Sequence, residues 1–283
     1  MAGDRVTSVL GIVNGTTNYI LDEMSTKGLS FEEALATAQA LGYAEADPTA
    51  DVDGLDAAAK AAILASLSFH TRVGLSDVQV EGIRSVTADD IREAHASGCE
   101  LKLLAIAQLR EDEHARGVSV RVHPALVPAD HPLASVHGAY NAVLVEAESA
   151  GRLMFYGQGA GGAPTASAVL SDVVAAAAHR VYGGRAPRES SYARLSVLGP
   201  EAAVTRYQIQ LRVEDAAGSL AAMAGVFADN EVSINSVRQS AYVTRDGAAV
   251  VTFVTHPAPV FHLDAAVEGL RHSENLTDRK SVV

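Results

Sequence analysis

The sequence predicts an α+β protein, in which helices back a mixed or largely antiparallel sheet and a smaller βαββαβ unit follows. Two patterns support this fold class. Four strand-like segments between Leu101 and Tyr156 are joined by glycine- and charge-bearing turns, which is typical of an antiparallel meander. Beyond residue 204, strand and helix patterns follow one another in the order βαββαβ. A chain of 283 residues is long enough for two domains with separate cores.

Before the meander, the chain is predicted to form two strands and four helices. Ser30 and Glu33 form a capping-box pattern, and Gly42 stands where a glycine commonly ends a helix. The strands are Arg5–Val13 and Val78–Ile83, and the helices are about Thr17–Ser25, Ser30–Leu41, Leu55–Phe69 and Thr87–Gly98. The meander comprises Leu101–Leu109, Val118–Val122, Ala142–Ala147 and Arg152–Tyr156, and a long helix, Thr165–Tyr182, follows it.

Composition argues against several classes of function. The formal net charge is -12 and the isoelectric point is near 5.2, without a run of lysines or arginines, which argues against a nucleic-acid or anionic-membrane partner. Cys99 is the only cysteine, so the chain has no internal disulfide and no cysteine-based metal cluster. No apolar run reaches the roughly 20 residues of a membrane span, and the N-terminus lacks a basic-then-apolar signal. We expect a cytoplasmic protein.

Three histidines, His123, His131 and His137, are predicted to lie in loops of the meander. Their spacing matches no fixed ligand pattern, so we interpret them as surface or turn residues rather than as metal ligands. We expect no metal site in this chain.

The segment Gly42–Lys60 concentrates the chemistry of the chain. Five carboxylates precede one lysine, and Asp56 and Lys60 stand four residues apart, so they share one face of the predicted helix. One interpretation is an exposed acidic turn, with Asp53 capping the helix and a surface ion pair worth roughly a few tenths of a kcal/mol. The other follows from the surrounding alanines, which predict that Lys60 is shielded from water. A shielded lysine beside a carboxylate is suited to proton transfer at a carbonyl or alcohol oxygen.

Two motifs in this region resemble those of one enzyme family. Gly42–Lys60 matches Gly-Tyr-Ala-Glu-x-Asp-Pro-x-x-Asp-Val-x-Gly-x-Asp-x-x-x-Lys, which is similar to the signature of homoserine dehydrogenases. Upstream, Gly11–Leu21 resembles the companion motif of the same family. Both motifs are long and stand in the family's order, and with the C-terminal region the resemblance covers nearly the whole chain. It implies an NADP- or NAD-dependent interconversion of L-homoserine and L-aspartate 4-semialdehyde, in threonine and methionine biosynthesis.

The resemblance also implies roles for individual residues. Lys60 is expected to donate or accept the proton at the substrate oxygen, and Asp56 to orient Lys60 or the substrate. Glu45 is expected to bind the substrate ammonium. The pocket is further expected to be lined by Tyr43, Asp51, Gly15 and Thr16. From the residues alone, the turn after the first strand is a capped strand-to-helix turn whose first amides can hold an anion.

The glycine-rich stretch Gly157–Gly162 contains the pattern G-x-G-x-x-G. We reject it as a dinucleotide fingerprint, because it ends a meander rather than opening a βαβ unit and lacks the acidic residue about 20 positions on. By resemblance, the same loop faces the cofactor from the substrate domain, which makes Gly161 a candidate contact to NADP or NAD. A tight packing turn is the alternative.

Residues 187–203 are predicted to form a linker between two domains. Residues 1–186 are interpreted as the substrate-binding and catalytic domain, and residues 204–283 as a second domain. The predicted elements of the second domain are strands Arg206–Glu214, Val232–Ser240 and Ala248–His256, a helix to about Asn230, a helix at Leu263–Arg271, and a last strand beginning at Ser281.

This second domain resembles an ACT domain, a ferredoxin-like module that commonly binds amino acids at paired interfaces. The resemblance rests on the element order and on the Asp-x-x-Gly-x-Leu turn from Asp215. It implies that Gly218 and Leu220 contact an effector, that L-threonine is this effector, and that the chain forms a homodimer or larger assembly. Ser233–Ser240 is expected near the partner. The alternative is a structural or dimerising module that binds no ligand.

The family pattern leads us to expect a further domain. Homoserine dehydrogenases hold the dinucleotide in a Rossmann domain that precedes the first motif, whereas Gly11 lies only ten residues after Met1. With its last strand beginning at Ser281, the ACT-like domain is interpreted as C-terminally truncated. We therefore interpret the chain as a fragment that is inactive alone. The alternative class is a non-catalytic amino-acid-binding regulatory or assembly protein.

Overall fold

The computed structural model describes residues 3–111, 115–184, 191–214, 216–239, 248–272 and 276–282. The chain divides into two compact units, Met1–Val197 (unit 1) and Leu198–Val283 (unit 2). This division falls within residues 187–203, where the sequence predicts a linker, although residues 187–190 lie outside the described residues. The assignment of each unit to a functional domain stays a prediction at this point.

Unit 1 is built on a seven-stranded mixed sheet. Its strands are β1 (Val6–Ile12), β2 (Gln79–Val80), β3 (Cys99–Glu111), β4 (Arg116–Pro128), β5 (Tyr140–Ala147), β6 (Gly151–Gln158) and β7 (Ser196–Val197). They are ordered β2-β4-β3-β1-β5-β6, and β7 also pairs with β4. The pairs β2–β4 and β4–β7 are parallel, and the other pairs are antiparallel.

The α-helices that the structure describes in unit 1 are α1 (Gly15–Lys27), α2 (Phe31–Ala40), α3 (Thr49–Val52), α4 (Leu55–Phe69), α5 (Ala88–Ala96) and α6 (Gly162–Tyr182). Three of them, α1, α2 and α5, begin at a residue whose side chain binds a free backbone amide. Asn14 caps α1, and Ser30 with Glu33 forms the predicted capping box of α2. Thr87 with Asp90 forms a second capping box at α5. Local capping chemistry therefore fixes where these three helices start.

The alanines of α4 pack this helix against the sheet. Ala57, Ala58, Ala61 and Ala65 are buried, and α4 packs on β1, β3 and β4. Small side chains allow the helix axis to approach the sheet, which is filled on this side by Val118 and other apolar residues. This packing holds the first turn of α4 beside the end of β1.

Strand β6 and helix α6 expose many apolar side chains. No residue of α6 is buried, and almost all of the edge strand β6 is exposed. The exposed apolar side chains include Leu153, Met154, Phe155, Tyr156, Val169, Leu170, Val173, Val174, Val181 and Tyr182. An apolar surface of this extent is typical of a site of association.

In the described parts of the chain, no helix is long and apolar enough to cross a membrane.

Two strand predictions for unit 1 are wrong. The segment predicted as a strand from Val78 to Ile83 pairs only at β2, and β4 continues to Pro128 instead of ending at Val122. The long hairpin of β3 and β4 is paired from Cys99 to Glu111, so pairing carries the strand through residues without a clear alternating pattern. His123 consequently lies in a strand, whereas His131 and His137 lie between strands, as predicted.

Unit 2 contains a four-stranded antiparallel sheet and two helices. Its elements are β8 (Val204–Thr205), β9 (Gln208–Glu214), α7 (Ser219–Asp229), β10 (Ile234–Gln239), β11 (Ala248–Thr255), β12 (Ala258–Pro259), α8 (Val260–Arg271) and β13 (Leu276–Val282). The main sheet is ordered β10-β11-β9-β13, and β8 pairs with β12 in a separate two-stranded sheet. Leaving out β8 and β12, the order along the chain is βαββαβ. Phe227 of α7 and Phe253 of β11 meet in the core, with ring centroids 5.1 Å apart.

The last strand differs from the sequence prediction. β13 spans Leu276–Val282 and pairs with β9 along its length, whereas the sequence predicted only a beginning at Ser281. Asp278, Arg279 and Lys280 obscured the strand, because charged residues are uncommon in strand interiors. β13 is at the edge of the sheet, where charged residues are tolerated and discourage unwanted pairing.

Lys102 of β3 gives a first test of the packing. Its side chain is buried, with 2% exposed, its Nζ donates to the Val136 carbonyl at 2.7 Å, and burial lowers its pKa. Asn18 Nδ2 donates to the same carbonyl, so Lys102→Met keeps that carbonyl hydrogen-bonded while removing a buried charge. We expect Lys102→Met to change the free energy of unfolding by less than about 1 kcal/mol or to raise it. Lys102→Ala should lower it by about 2–5 kcal/mol by leaving a cavity. Urea unfolding measures both, and equal losses would contradict this expectation.

His123 gives a second test, through pH. Its Nδ1 donates to the Pro124 carbonyl at 2.9 Å, and its Nε2 accepts from Arg121 Nε at 3.1 Å, so the neutral ring is held. Burial lowers the pKa of His123 from 6.5 to about 4. Between these values the unfolded chain binds a proton that the folded chain does not, so stability falls as pH decreases through this window. The full loss is about 3 kcal/mol.

The measurement is urea unfolding of wild type and His123→Gln between pH 4 and pH 7. Glutamine cannot titrate, so the difference between the two proteins isolates the histidine from the carboxylates that also titrate. Wild type should lose more stability than the variant on acidification. Parallel pH profiles would show that His123 does not carry the effect.

Candidate active site

Asn14 joins the two motifs predicted from the sequence. Its Oδ1 accepts from the Thr17 amide at 2.9 Å and so caps α1. Its Nδ2 donates to Asp51 Oδ1 at 2.7 Å and to Asp56 Oδ2 at 2.9 Å. Both amide hydrogens thus have carboxylate acceptors, which fixes the orientation of the buried amide. The first motif is thereby bound to the acidic motif through one side chain.

Lys60 lies beside this amide. Its Nζ donates to Asp56 Oδ2 at 2.7 Å and to the carbonyl of Val13 at 3.0 Å. Asp56 therefore accepts from both Asn14 and Lys60 on the same oxygen. The predicted pairing of Asp56 with Lys60 on one helix face is present in the structure, and the Val13 carbonyl adds a contact that the sequence did not reveal.

The prediction that Lys60 is shielded from water is wrong for the described structure. The side chains of Lys60 and Asp56 are 45% and 34% exposed. The buried alanines form one stripe of α4, and Lys60 lies off this stripe, on the face that also exposes Ile63 and Leu67. Alanines on both sides of Lys60 in the sequence concealed this division, because their small side chains do not mark one face.

The start of α4 is also different from the sequence prediction. Asp53 does not cap the helix; the N-cap is Gly54, with φ +81°, and Asp53 instead pairs with Arg84. Gly82 allows this arrangement, because a Cβ there would lie 2.2 Å from the Val52 carbonyl oxygen. The Ile83 amide donates to the same carbonyl at 2.7 Å. The segment around Gly82, which follows β2, thus packs against the acidic motif at Val52.

Tyr43 and Thr16 are brought together at the first turn of α1. Thr16 Oγ1 donates to the Tyr43 carbonyl at 2.7 Å, and the Tyr43 ring packs on Tyr19 with centroids 4.9 Å apart. Gly15 begins α1, and a Cβ there would lie 2.6 Å from the Ala139 carbonyl oxygen. The amides of Gly15 and Thr16 belong to the first turn, where a helix provides no acceptor of its own.

Glu45 is not part of the Lys60 cluster. It lies on the exposed loop after α2, where its backbone carbonyl accepts from Gln39 Nε2 at 3.0 Å. Among the hydrogen bonds and ion pairs of the residues that the structure describes, none involves the Glu45 carboxylate. Tyr43, two residues earlier, connects this loop to α1 through Thr16. Glu45 is therefore an exposed carboxylate on a loop that is anchored beside the site.

The glycine-rich loop follows the antiparallel edge strand β6 and leads into α6, so it does not open a βαβ unit. Gly161 is the N-cap of α6 and has φ +128°, a backbone conformation that residues other than glycine rarely adopt. Gly159 packs on Asn141, because a Cβ at Gly159 would lie 2.0 Å from Asn141 Nδ2. Asn141 Nδ2 donates to the Val13 carbonyl at 3.3 Å. This amide therefore connects the glycine loop to the acceptor of Lys60.

The predicted effector residues lie in unit 2. Gly218 has φ +96° and is the N-cap of α7, and Leu220 is exposed in the first turn of the same helix. An added Cβ at Gly218 would meet nothing within 4 Å, so the backbone is open on this side. Asp215, which begins the predicted turn, lies outside the described residues, as does Ser240 at the end of the segment expected near a partner.

The arrangement in unit 1 provides one ammonium between a backbone carbonyl and a carboxylate, with a second carboxylate nearby. An ammonium in this place can donate a proton to a substrate oxygen, and the neutral amine left after deprotonation can accept one. Two participants were not assigned roles from the sequence: Asn14, which stood in the first motif, and Asn141, which no motif marked. In the described ranges, no group of three or more histidines, cysteines and acidic residues is arranged to hold a metal ion.

Comparison with known proteins agrees with the motifs. The sequence model of the homoserine dehydrogenase family matches residues 1–174. A homoserine dehydrogenase from Mycobacterium tuberculosis is 56% identical over 287 residues, covering 100% of this chain and 65% of the relative. One from Corynebacterium glutamicum is 53% identical over 272 residues, covering 96% of this chain and 60% of the relative.

A solved structure extends the agreement to the fold. The crystal structure of a homoserine dehydrogenase from Thiobacillus denitrificans superposes with a TM-score of 0.90 at 35% identity, covering 99% of this chain and 64% of that chain. The chain thus spans about two thirds of the length of these relatives or slightly less. The match to the family model over more than half of the sequence and the high identity to these relatives show that the chain belongs to the homoserine dehydrogenase family.

Proposed function

We propose that this chain provides the substrate site of an enzyme that interconverts L-homoserine and L-aspartate 4-semialdehyde. The observation that carries the proposal is the cluster in which Asn14 binds Asp51 and Asp56, and Asp56 binds Lys60. Oxidation of this alcohol removes a hydride from carbon and a proton from oxygen. Lys60, as the neutral amine, accepts that proton, and in the reverse reaction its ammonium donates a proton to the aldehyde oxygen.

The substrate is a zwitterion, so its ends need opposite partners. The exposed carboxylate of Glu45 binds the ammonium group, with Asp51 and Tyr43 lining the pocket. The first-turn amides at Gly15 and Thr16 bind the carboxylate, which the positive end of α1 favours. Asp56 orients Lys60 through the 2.7 Å bond and is itself oriented by Asn14.

NADP or NAD accepts the hydride when it is bound. The glycine loop fits contact with such a group, because a Cβ at Gly157 or Gly162 would meet nothing within 4 Å and Gly161 requires a glycine conformation. Gly161 is the residue that we place against the cofactor. The exposed apolar surface of β6 and α6 supports association with further protein, so we propose an assembly that is at least a dimer.

The proposal is tested on the complete product of the gene, by following homoserine-dependent reduction of NADP and of NAD. Lys60→Met keeps the length of the side chain and removes the proton carrier, so kcat should fall by about 10²–10⁴-fold. Glu45→Gln is the matched variant, because it weakens a contact to the ammonium that is present in both ground and transition states. It should raise KM with a smaller effect on kcat.

Wild-type protein without homoserine-dependent reduction of either nucleotide would contradict the proposed reaction. It would favour the alternative of a non-catalytic amino-acid-binding protein. Activity in Lys60→Met within about threefold of wild type would contradict only the assignment of the proton carrier.

We further propose that unit 2 is a ferredoxin-like ACT module that binds an amino acid, with L-threonine as the effector. The element order βαββαβ and the sheet order β10-β11-β9-β13 support the module type. The open backbone at Gly218 and the exposed Leu220 support a contact at the start of α7. A structural or dimerising module is the alternative.

Thermal unfolding with and without millimolar threonine tests this role of unit 2, with serine and homoserine as control ligands. A ligand at 100 times its Kd adds about 2.7 kcal/mol of stability, which raises Tm by several degrees. Leu220→Ala should reduce the threonine-dependent rise while leaving the Tm of the free protein nearly unchanged, since Leu220 is exposed. Lack of a selective rise in a sample that scattering shows to be dimeric would leave unit 2 as an assembly module.

A further inference from the structure

Asn141 lies between Gly15 at the start of α1 and the glycine-rich loop Gly157–Gly162. It is paired with Gly157 where β5 begins, and its side chain occupies space that two other glycines leave free. A Cβ at Gly159 would lie 2.0 Å from Asn141 Nδ2, and a Cβ at Gly15 would lie 3.3 Å from Asn141 Oδ1. The amide group is therefore enclosed by the start of α1 on one side and by the glycine loop on the other.

Asn141 shares an acceptor with Lys60. Its Nδ2 donates to the Val13 carbonyl at 3.3 Å, and Lys60 Nζ donates to the same oxygen at 3.0 Å. Val13 directly precedes Asn14, so the carbonyl belongs to the turn from which the cluster is built. A shift of this carbonyl changes the direction in which the Lys60 ammonium points.

The segment before Asn141 is held in place by hydrogen bonds to side chains of α1, independently of any ligand. Asn18 Nδ2 donates to the carbonyls of Val136, Gly138 and Tyr140, at 3.2, 2.8 and 3.4 Å. The Gly138 amide donates to Asp22 Oδ2 at 2.8 Å. Asn141 is thus presented by a segment with a defined position, as a precise contact requires.

The amide of Asn141 is not fully satisfied. Its Oδ1 is buried and has no hydrogen-bond partner among the residues that the structure describes. A buried acceptor without a partner costs free energy, but Asn18 Oδ1 shares this condition, so the unpaired oxygen alone assigns no role to Asn141. The functional argument rests on the other end of the amide, Nδ2, which contacts the carbonyl that Lys60 also binds.

We propose that Asn141 is a positioning residue for the reaction: it holds the Val13 carbonyl that directs Lys60 and seats the glycine loop beside it. The inference rests on the proposed function and deepens it, because it assigns a role in the same site to a residue outside both motifs. Asn141 acts through Lys60, so its contribution to the rate requires the lysine.

The test uses Asn141→Ala and the isosteric Asn141→Asp in the complete product of the gene. Both remove the donor to Val13, and the aspartate also places a carboxylate oxygen near the carbonyl. We expect kcat for homoserine oxidation to fall by about 10- to 100-fold, the size of effect that misplacement of a catalytic group produces. KM should stay within about threefold, and Tm should change little in Asn141→Asp.

A double-mutant cycle with Lys60→Met separates positioning from a general structural effect. In the Lys60→Met background, Asn141→Ala should reduce kcat by less than about twofold, because its partner in the reaction is gone. The control is Asn230→Ala, which removes a similar amide bond to a backbone carbonyl, that of Val226 at 2.8 Å in unit 2. It should leave kcat unchanged.

Equal losses from Asn141→Ala with and without Lys60 would overturn the inference while leaving the proposed function in place. A fall in Tm that accounts for the loss of active protein in both Asn141 variants would overturn it as well. Inactive wild-type protein would instead overturn the proposed function on which the inference depends.

Discussion

The geometry of the site depends on one side-chain amide, that of Asn14. It makes hydrogen bonds to the first turn of α1 and to the carboxylates of Asp51 and Asp56, so it joins the start of α1 to residues 37 and 42 positions further along the chain. An aspartate of the same shape would place a third carboxylate against the other two, and a leucine would remove the hydrogen bonds to the Thr17 amide, Asp51 and Asp56. A side-chain amide suits position 14 because it carries both hydrogen-bond donors and an acceptor.

The close approach of backbone segments is the second constraint around this amide. Gly15 leaves room for the Ala139 carbonyl, and Gly82 leaves room for the backbone at Val52 and Asp53. Each contact brings a different segment of unit 1 against the two motifs. The motifs therefore depend on glycines for access by neighbouring backbone as much as on charged residues for chemistry.

Local information in the sequence predicted the fold better than it predicted exposure. The capping-box pattern of Ser30 with Glu33 placed the start of α2 correctly, because capping involves residues close in sequence. The length of β4 and most of β13 depended on pairing with distant strands, so propensity failed there. The pairing of Asp56 with Lys60 followed from helical spacing. The exposure of Lys60 and the contacts of Asn141 required tertiary structure, since the first depends on which face of α4 meets the sheet and the second on the approach of β5 to β1.

The balance of charge in the cluster suits the proposed substrate. Asp51 and Asp56 carry two carboxylates against the single ammonium of Lys60, and Glu45 adds another carboxylate on the neighbouring loop. An excess of negative charge attracts the substrate ammonium but opposes the substrate carboxylate. The first turn of α1 offers the compensation, because its amides and the helix dipole bind an anion without adding another lysine. Lys60 is then not needed as a partner for the substrate carboxylate, and its ammonium stays available for the hydroxyl oxygen at the other end of the molecule.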